Sequence, residues 1–281
     1  MLIPLYGGGQ GAIEQAGNVT ASSNGTAITA HATPGTDGAY TQLIAATARQ
    51  THALSLRFGE GGTVTGRALI DLAIGGAGSE QIILADIPHI QINAAKRCPF
   101  TDLWVPLAIP AGVRLAARVH RASAASLPLR VACYLMNGGS RYFPPFHRAT
   151  TYGTDLANAR GTSVDPGGTA NTQGGKVQLV ASTTNPIKAA YLLARRADAA
   201  ATATTIASMI QLFVGAGGSE VAVTPEIWCH QWNDTADHES GAFFGPFPVN
   251  IPAGSRLSAA ARSSNNTAGV REAQVSVLGL D

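Results

Sequence analysis

Apolar and polar side chains alternate along two segments of the chain that have similar sequences. Val113–Val119 reads VRLAARV, and Ser255–Ala261 reads SRLSAAA. A repeat of two residues is typical of a β-strand with one buried face, so both segments are predicted to be strands. The residues predicted to face inward are Leu115, Ala117 and Val119 in the first segment and Leu257, Ala259 and Ala261 in the second.

Turn-forming residues separate these strands from their neighbours. Both strands follow Ile-Pro-Ala-Gly, in which proline suits the second position of a β-turn and glycine the fourth. Upstream, apolar runs flank two glycine-rich segments, and each pair of runs is predicted to form a hairpin. The predicted structural turn positions are Gly75, Gly78, Pro110, Gly112, Gly215, Gly218, Pro252 and Gly254.

Three landmarks occur twice in the same order, which indicates an internal duplication. QLIAAT at Gln42–Thr47 returns as QLVAST at Gln178–Thr183, and IGGAGSE at Ile74–Glu80 returns as VGAGGSE at Val214–Glu220. The Ile-Pro-Ala-Gly turn is the third. The copies are 136, 140 and 142 residues apart at the three landmarks, as expected if short loop insertions distinguish them.

Other short apolar runs bring the prediction to about seven or eight strands in each copy. The Ala-rich segment 185–212 has a composition that also favours helix, but its first part aligns with a strand-like run of copy one. We therefore expect a strand, a loop and a second strand in this segment. The predicted fold class is all-β: two tandem antiparallel β-sandwich domains, jelly-roll-like, from an internal duplication.

The domain boundary is predicted in a segment rich in glycine, proline and aromatic residues. Domain 1 is assigned to residues 1–138 with an N-terminal arm, a linker to 139–155, and domain 2 to 156–281. A flexible linker would carry few aromatic side chains, so a fixed interdomain arrangement is expected. The residues predicted to pack between the domains are Tyr142, Phe143, Phe146 and Tyr152.

The charge of the chain argues against electrostatic partners. The formal net charge is +2, and only 13% of the residues are charged, so we expect no nucleic-acid binding. No apolar run is long enough for a bilayer, so no membrane insertion is expected. The N-terminus lacks the basic and apolar regions of a signal peptide, and three cysteines do not suggest a disulfide framework. Synthesis in a reducing cytoplasm is expected.

Catalytic and cofactor motifs are not evident. The glycine-rich segments lack the Lys-Ser/Thr of a phosphate-binding loop, and Gln81 and Val221 stand where a serine nucleophile elbow needs glycine. Residues 228–239 hold several Cys, His, Asp and Glu residues, but their spacing matches no known metal site. We expect no cofactor, no metal and no enzymatic activity. Arg114 and Arg256 are expected to support the fold by pairing with Glu80 and Glu220 in a neighbouring strand or a neighbouring subunit.

An aromatic segment before the second Ile-Pro-Ala-Gly turn is the one candidate binding site. Its rings could stack on sugar faces while amides and carboxylates bind hydroxyls, or they could pack between domains or subunits. The candidate glycan or partner contacts are Trp228, Trp232, Asn233, Asp234, Asp237, Phe243 and Phe244.

The run Asp71–Glu80, followed about 30 residues later by Ile-Pro-Ala-Gly-x-Arg-Leu, resembles segments of tailed-bacteriophage virion structural proteins. The resemblance covers about a quarter of the chain and implies capsid decoration or a head-fibre, tail-fibre or baseplate role. It implies that the protein is located in the virion, forms a homo-oligomer and has capsid or tail proteins as partners. The alternative is a receptor- or glycan-binding module that uses residues 228–244 on a host surface glycan.

Overall fold

The computed structural model describes residues 12–20, 23–60, 66–91, 101–121, 129–137, 146–196, 206–231, 242–268 and 271–281. This part of the chain forms twenty-two strands and no helix. In the first half they are β1 (Ala12–Ala16), β2 (Val19–Thr20), β3 (Ser23–Asn24), β4 (Thr26–Ile28), β5 (Thr41–Ile44), β6 (Ala53–Glu60), β7 (Gly66–Ile74), β8 (Gln81–Gln91), β9 (Thr101–Val105), β10 (Leu115–Arg121) and β11 (Leu129–Asn137).

The strands of the second half follow the same order. They are β12 (Ala149–Tyr152), β13 (Thr154–Asp155), β14 (Arg160–Val164), β15 (Val177–Val180), β16 (Ile187–Arg196), β17 (Ile206–Val214), β18 (Val221–Ala222), β19 (Ile227–Gln231), β20 (Ala242–Ile251), β21 (Leu257–Ser263) and β22 (Ala273–Leu280). Strands β16 and β17 confirm the extended prediction at both ends of the Ala-rich segment, whose middle lies outside the described residues.

Three large sheets carry the fold. The first outer sheet has the order β1-β11-β6-β9, with β4 also beside β11, and the second has the order β15-β21-β17-β18, with β19 also beside β17. The central sheet runs β5-β10-β7-β8-β12-β22-β16-β20, and β14 joins β22 on the same edge as β12. Strands β2 and β3 form a small hairpin. The predicted all-β class with tandem antiparallel sandwiches is confirmed.

The two halves repeat one another in their strand pairings. The pairs β1·β11, β4·β11 and β6·β11 return as β12·β22, β14·β22 and β16·β22. The register repeats as well, since Ala53 faces Met136 and Ala189 faces Leu280. Gly17 and Gly153 stand at matching places, just after β1 and β12, and both have a positive φ. The residues of these paired strands in the first half therefore have definable counterparts in the second.

The halves are joined through a shared sheet. Strand β12 pairs in parallel with β8 of the first half, with Ala149 opposite Leu84 and Thr150 opposite Ala85. The other edge of β12 pairs with β22 of the second half. The hydroxyl of Thr151 also donates to the carbonyl oxygen of Ala85 at 2.7 Å. The segment predicted as a linker, 139–155, thus contains the strand that connects the two halves.

Two hydrophobic cores lie on opposite faces of the second half's part of the central sheet. Tyr191, Leu193 and Leu278 are buried in the first core, whereas Leu192 and Val277 are buried in the second. Successive side chains of a strand point to opposite faces, so β16 and β22 serve both cores. Burial of a large apolar side chain contributes about 1.5 to 3 kcal/mol, and these strands gain it on both sides.

The aromatic residues predicted to pack between domains divide between the two cores. Phe146 is buried in the first core and Tyr152 in the second. The Tyr152 hydroxyl lies 3.3 Å from Oγ1 of Thr184, within the second half. Tyr142 and Phe143 lie outside the described residues. Their role between domains stays a prediction.

Candidate functional site

The residues that the two halves share build matching turns. Arg114 lies with Nη1 2.9 Å from Oε1 of Glu80, and Arg256 lies with Nη1 2.6 Å from Oε1 of Glu220. Each arginine also donates through Nη1 to the carbonyl oxygen of the first hairpin glycine, Gly75 or Gly215. The expected pairs are therefore present in both halves, where they fasten each glycine hairpin to the following strand.

A second repeated contact holds the Ile-Pro-Ala-Gly turn. The hydroxyl of Thr47 donates to the carbonyl oxygen of Pro110 at 2.7 Å, and that of Thr183 donates to Pro252 at 3.0 Å. The glycines of these turns, Gly112 and Gly254, have positive φ, which only glycine adopts at little cost. Gly75, Gly78, Gly215 and Gly218 also have positive φ.

The repeated glutamates are held as carboxylates by this geometry. A hydrogen bond from its own backbone amide and the guanidinium of Arg256 lower the pKa of Glu220 to about 2, and the amide of Gly218 adds to the effect. The pKa of Glu80 is lowered as well, first by its own backbone amide. Charge-assisted bonds of this kind favour the ionised form. Both carboxylates are ionised and bonded within the turn, so neither holds a proton to transfer to a substrate.

A cluster of charged residues lies on the outward face of the first half's part of the central sheet. Arg118 donates through Nε to Oδ2 of Asp71 at 2.7 Å, and its Nη1 lies 2.8 Å from Oδ2 of Asp37. Nδ1 of His120 lies 3.2 Å from Oδ1 of Asp37. Asp71 also accepts from the backbone amide of Asp86. Both carboxylates that contact Arg118 are thus committed to protein partners.

This charged cluster connects the two halves. Nε2 of His120 lies 2.8 Å from the carbonyl oxygen of Leu156, which belongs to the second half. A carbonyl oxygen only accepts, so Nε2 carries the proton of this bond. The ring is thereby fixed between Asp37 of the first half and the loop after β13. The cluster is an attachment point between halves.

Burial alters two further groups beside this cluster. Burial, followed by the nearby charges of Asp71 and Asp37, raises the pKa of Asp86 to about 6. Burial also raises the pKa of Tyr40 to about 12, and the guanidinium of Arg118 lies 5.0 Å from the centre of its ring. Asp86 has a φ of 55°, a backbone conformation that Asp and Asn tolerate better than most residues.

The second half has a different set of residues at the same places. The counterparts of Asp71, Arg118 and His120 are Gln211, Ala260 and Arg262, as the matched pairing of β10·β7 and β21·β17 shows. Arg262 instead contacts Glu226 at 3.0 Å. Sequence reasoning missed the charged cluster, although Asp71 within the apolar run ALIDLAI was a usable signal.

The aromatic candidate site is divided by the fold. Trp228 on β19 is 57% exposed. Phe243 packs against the first core, whereas Phe244 packs against the second. Trp232, Asn233, Asp234 and Asp237 lie outside the described residues. Of the predicted contacts that the structure describes, Trp228 alone is a largely exposed ring.

The remaining reactive groups are buried or apart. Burial raises the pKa of the Cys133 and Cys229 thiols to about 12 each, and Cys98 lies outside the described residues. Within the described ranges no three His, Cys, Asp or Glu side chains are grouped as metal ligands.

A cavity in the second core has about 10 Å³ of space, room for about one water, and is lined by apolar residues such as Leu212 and Val277. No described helix is long and apolar enough to cross a bilayer.

Comparison with known proteins gives solved structures of low similarity. No protein family and no curated protein matches the chain. A structure of PNGF-II is similar over 95% of this chain and 65% of that one, with 9% identity and a TM-score of 0.36. The chain thus spans slightly less than two thirds of PNGF-II.

Two further solved structures are similar over nearly the whole chain. The tandem CBM22 domains of Paenibacillus barcinonensis Xyn10C share 11% identity, over 97% of this chain and 91% of that one, with a TM-score of 0.27. A structure of infectious bursal disease virus, Gx strain, shares 12% identity over 96% of this chain and 71% of that one, with a TM-score of 0.23.

Proposed function

We propose that this protein is a non-enzymatic structural component of a phage particle surface, as a capsid decoration protein or a head-fibre, tail-fibre or baseplate accessory. It acts by oligomerising and by docking on other virion proteins. The observation that carries the proposal is that the residues repeated in both halves make structural contacts. Arg114 pairs with Glu80, and Arg256 pairs with Glu220, at the same turn in each half.

Residues kept in both copies mark what the duplicated unit needs in order to work. Here they fix the hairpins and the Ile-Pro-Ala-Gly turns, and none of them is left available to a substrate. The shared central sheet supports the same proposal, because β12 is paired on both edges and the halves cannot move independently without breaking it. A fixed shape with two similar faces suits a particle component that contacts several neighbours.

Support for the phage assignment comes from the sequence. The segment Asp71–Glu80 and the Ile-Pro-Ala-Gly-x-Arg-Leu run resemble parts of tailed-phage virion proteins, and in this fold both segments belong to β7, β10 and the turns around them. The small net charge fits a protein that contacts other proteins rather than packaged nucleic acid.

The test is the location of the chain in assembled particles. Particles purified on a density gradient, from cells that make this chain with the proteins encoded beside it, would be probed with an antibody against the chain. We expect the chain to migrate with the particles and the antibody to label intact ones. An antibody against an internal protein, which should label only opened particles, is the control. A chain found entirely in the free-protein fractions would overturn the proposal.

A second candidate function, glycan binding, is favoured by the exposure of Trp228. An exposed indole on a rigid strand is a suitable platform for a sugar ring. A glycan array with the intact protein tests it, with Trp228→Ala as the variant and Ile82→Ala, at another exposed apolar position, as the control. Binding that Trp228→Ala abolishes and Ile82→Ala preserves would support this function, and a silent array with the intact protein would reject it.

A further inference from the structure

Among the described strands, two unpaired edges are the counterparts of the two edges that meet at the internal junction. Strand β12 uses one edge for β22 and the other for β8. Its counterpart β1 pairs with β11 on one edge and, within the described residues, has no strand on the other. The counterparts of β8 are β18 and β19, which pair only with β17 among the described strands. The β1 edge is Ala12–Ala16, and the β18–β19 edge consists of Val221–Ala222 and Ile227–Gln231.

Apolar side chains are exposed at both open edges. Ile13 on β1 is 62% exposed, whereas its counterpart Ala149 on β12 is fully buried in the first core. Trp228 on β19 is exposed, whereas its counterpart on β8, Pro88, is buried. The counterpart relation follows from register, since Pro88 faces Leu69 and Trp228 faces Met209. Each of these edges therefore exposes an apolar side chain whose counterpart is buried.

We propose that a second copy of this chain binds its β1 edge to the β18–β19 edge of the first and repeats, between chains, the junction that β12 and β8 form within one chain. The counterparts of the facing pair Ala149 and Leu84 are Ile13 and Thr224. Thr224 lies between β18 and β19 and is buried, and its carbonyl oxygen accepts from Nε2 of Gln211, so the added strand pairs with the strand residues on either side of it. The interface is heterologous, because one chain contributes β1 and the other contributes β18–β19. Each bound chain leaves one edge of each kind open, so the assembly is a head-to-tail chain or a closed ring.

The residues that differ between the halves set the strength of this contact. Tyr191 and Leu193, buried at the internal junction, have Ser55 and Arg57 as counterparts on β6. Pro225 stands where β8 has Ala85, and proline has no amide hydrogen to donate to an added strand. The contact between chains is thus less apolar and has fewer hydrogen bonds than the internal junction. The association is reversible and depends on protein concentration.

The biological role of this contact depends on the proposed function. The contact itself is tested with purified protein and without particles. Light scattering coupled to size-exclusion chromatography would follow the full chain, whose mass is 28.8 kDa, over a range of concentrations. Two variants each block one edge: Ile13→Glu for β1 and Trp228→Glu for β18–β19. Both side chains are more exposed than buried and belong to neither hydrophobic core. Ile82→Glu, at an exposed position away from both edges, is the matched control.

The decisive sample is the equimolar mixture of the two blocked variants. We expect the intact chain and Ile82→Glu to grow in mass with concentration, and each blocked variant alone to stay monomeric. The mixture should form dimers and nothing larger, because it contains one intact edge of each kind. An intact chain that is monomeric at every concentration, blocked variants that assemble like the intact chain, or a mixture that stays monomeric would each overturn the proposal. None of these results depends on whether the antibody labels particles.

Discussion

The hydroxyl of Tyr191 donates to the backbone carbonyl oxygen of Trp104 across 2.7 Å. Tyr191 belongs to β16 in the second half, and Trp104 belongs to β9 in the first. The contact therefore ties the edge of the first outer sheet to the second half's part of the central sheet. With the parallel pairing of β12 and β8, it makes the two sandwiches one structural unit.

Tyr191→Phe removes this tie while keeping the ring. The Trp104 carbonyl then lacks that donor at a site where Tyr191 is only 4% exposed, so the free energy of unfolding should fall by about 1 to 2 kcal/mol. Urea denaturation measures the change. Tyr134→Phe, at a partly exposed position on β11, is the control and should change the stability much less. Equal losses for the two variants would contradict the assigned role of the Tyr191 hydroxyl.

Arg118→Met breaks the charged cluster. It leaves the buried carboxylate of Asp71 without its guanidinium partner, and an unpaired buried charge is costly. Because Arg118 is partly exposed to solvent, we expect a loss of about 2 kcal/mol, below the value for a fully buried pair. Arg57→Met, at the exposed pair with Asp102, should cost less than about 1 kcal/mol. Thermal denaturation of both variants compares them, and a similar small loss for each would show that the cluster does not stabilise the fold.

Asp86 gives the stability an identifiable pH dependence. Its pKa is raised from 3.8 to about 6 by burial, so the folded state holds the proton more tightly than the unfolded state. The resulting stabilisation is full below about 3.8 and is lost as the pH rises through about 6. Asp86→Asn suits the positive φ and should remove this dependence. Unfolding free energies measured between pH 4.5 and pH 7, at roughly half-unit steps, should fall for the intact chain relative to Asp86→Asn, and parallel curves would refute the assignment.

Glu220 acts in the opposite direction. Its pKa is lowered from 4.5 to about 2 by its own backbone amide and by Arg256, so its stabilisation is present above about pH 4.5 and is lost as the pH falls toward 2. We expect the intact chain to be more stable than Glu220→Gln at neutral pH, with the difference shrinking through that window. Glu226→Gln, at the more exposed pair with Arg262, is the comparison. A difference that stays constant down to pH 2 would exclude this role.

The local features of the fold could be predicted from the sequence, because they depend on residues close in the chain. The alternation of Leu115, Ala117 and Val119 places one face in the core, and all three are buried. The positive φ of Gly112 and Gly254 follows from the Ile-Pro-Ala-Gly turn. The duplication supplied independent support for both, since each feature occurs twice.

The junction between the halves could not be predicted, because it depends on strand pairing over long sequence separations. Ala149–Tyr152 is four residues long and has no periodicity that distinguishes a strand from a linker. The apolar run of β16 was a usable signal, since strands buried on both faces lack alternation. Within the aromatic segment, Phe243 and Phe244 are adjacent on one strand and so point to opposite faces, which the alternation of side chains along a strand predicts.

A cryo-electron microscopy reconstruction of particles that contain this chain would test the proposed role and the proposed contact together. We expect outward-facing density that fits the two fused sandwiches, with the β1 edge of one copy against the β18–β19 edge of the next. Particles without such density, whose surface is the same when the gene for this chain is deleted, would contradict the proposed function.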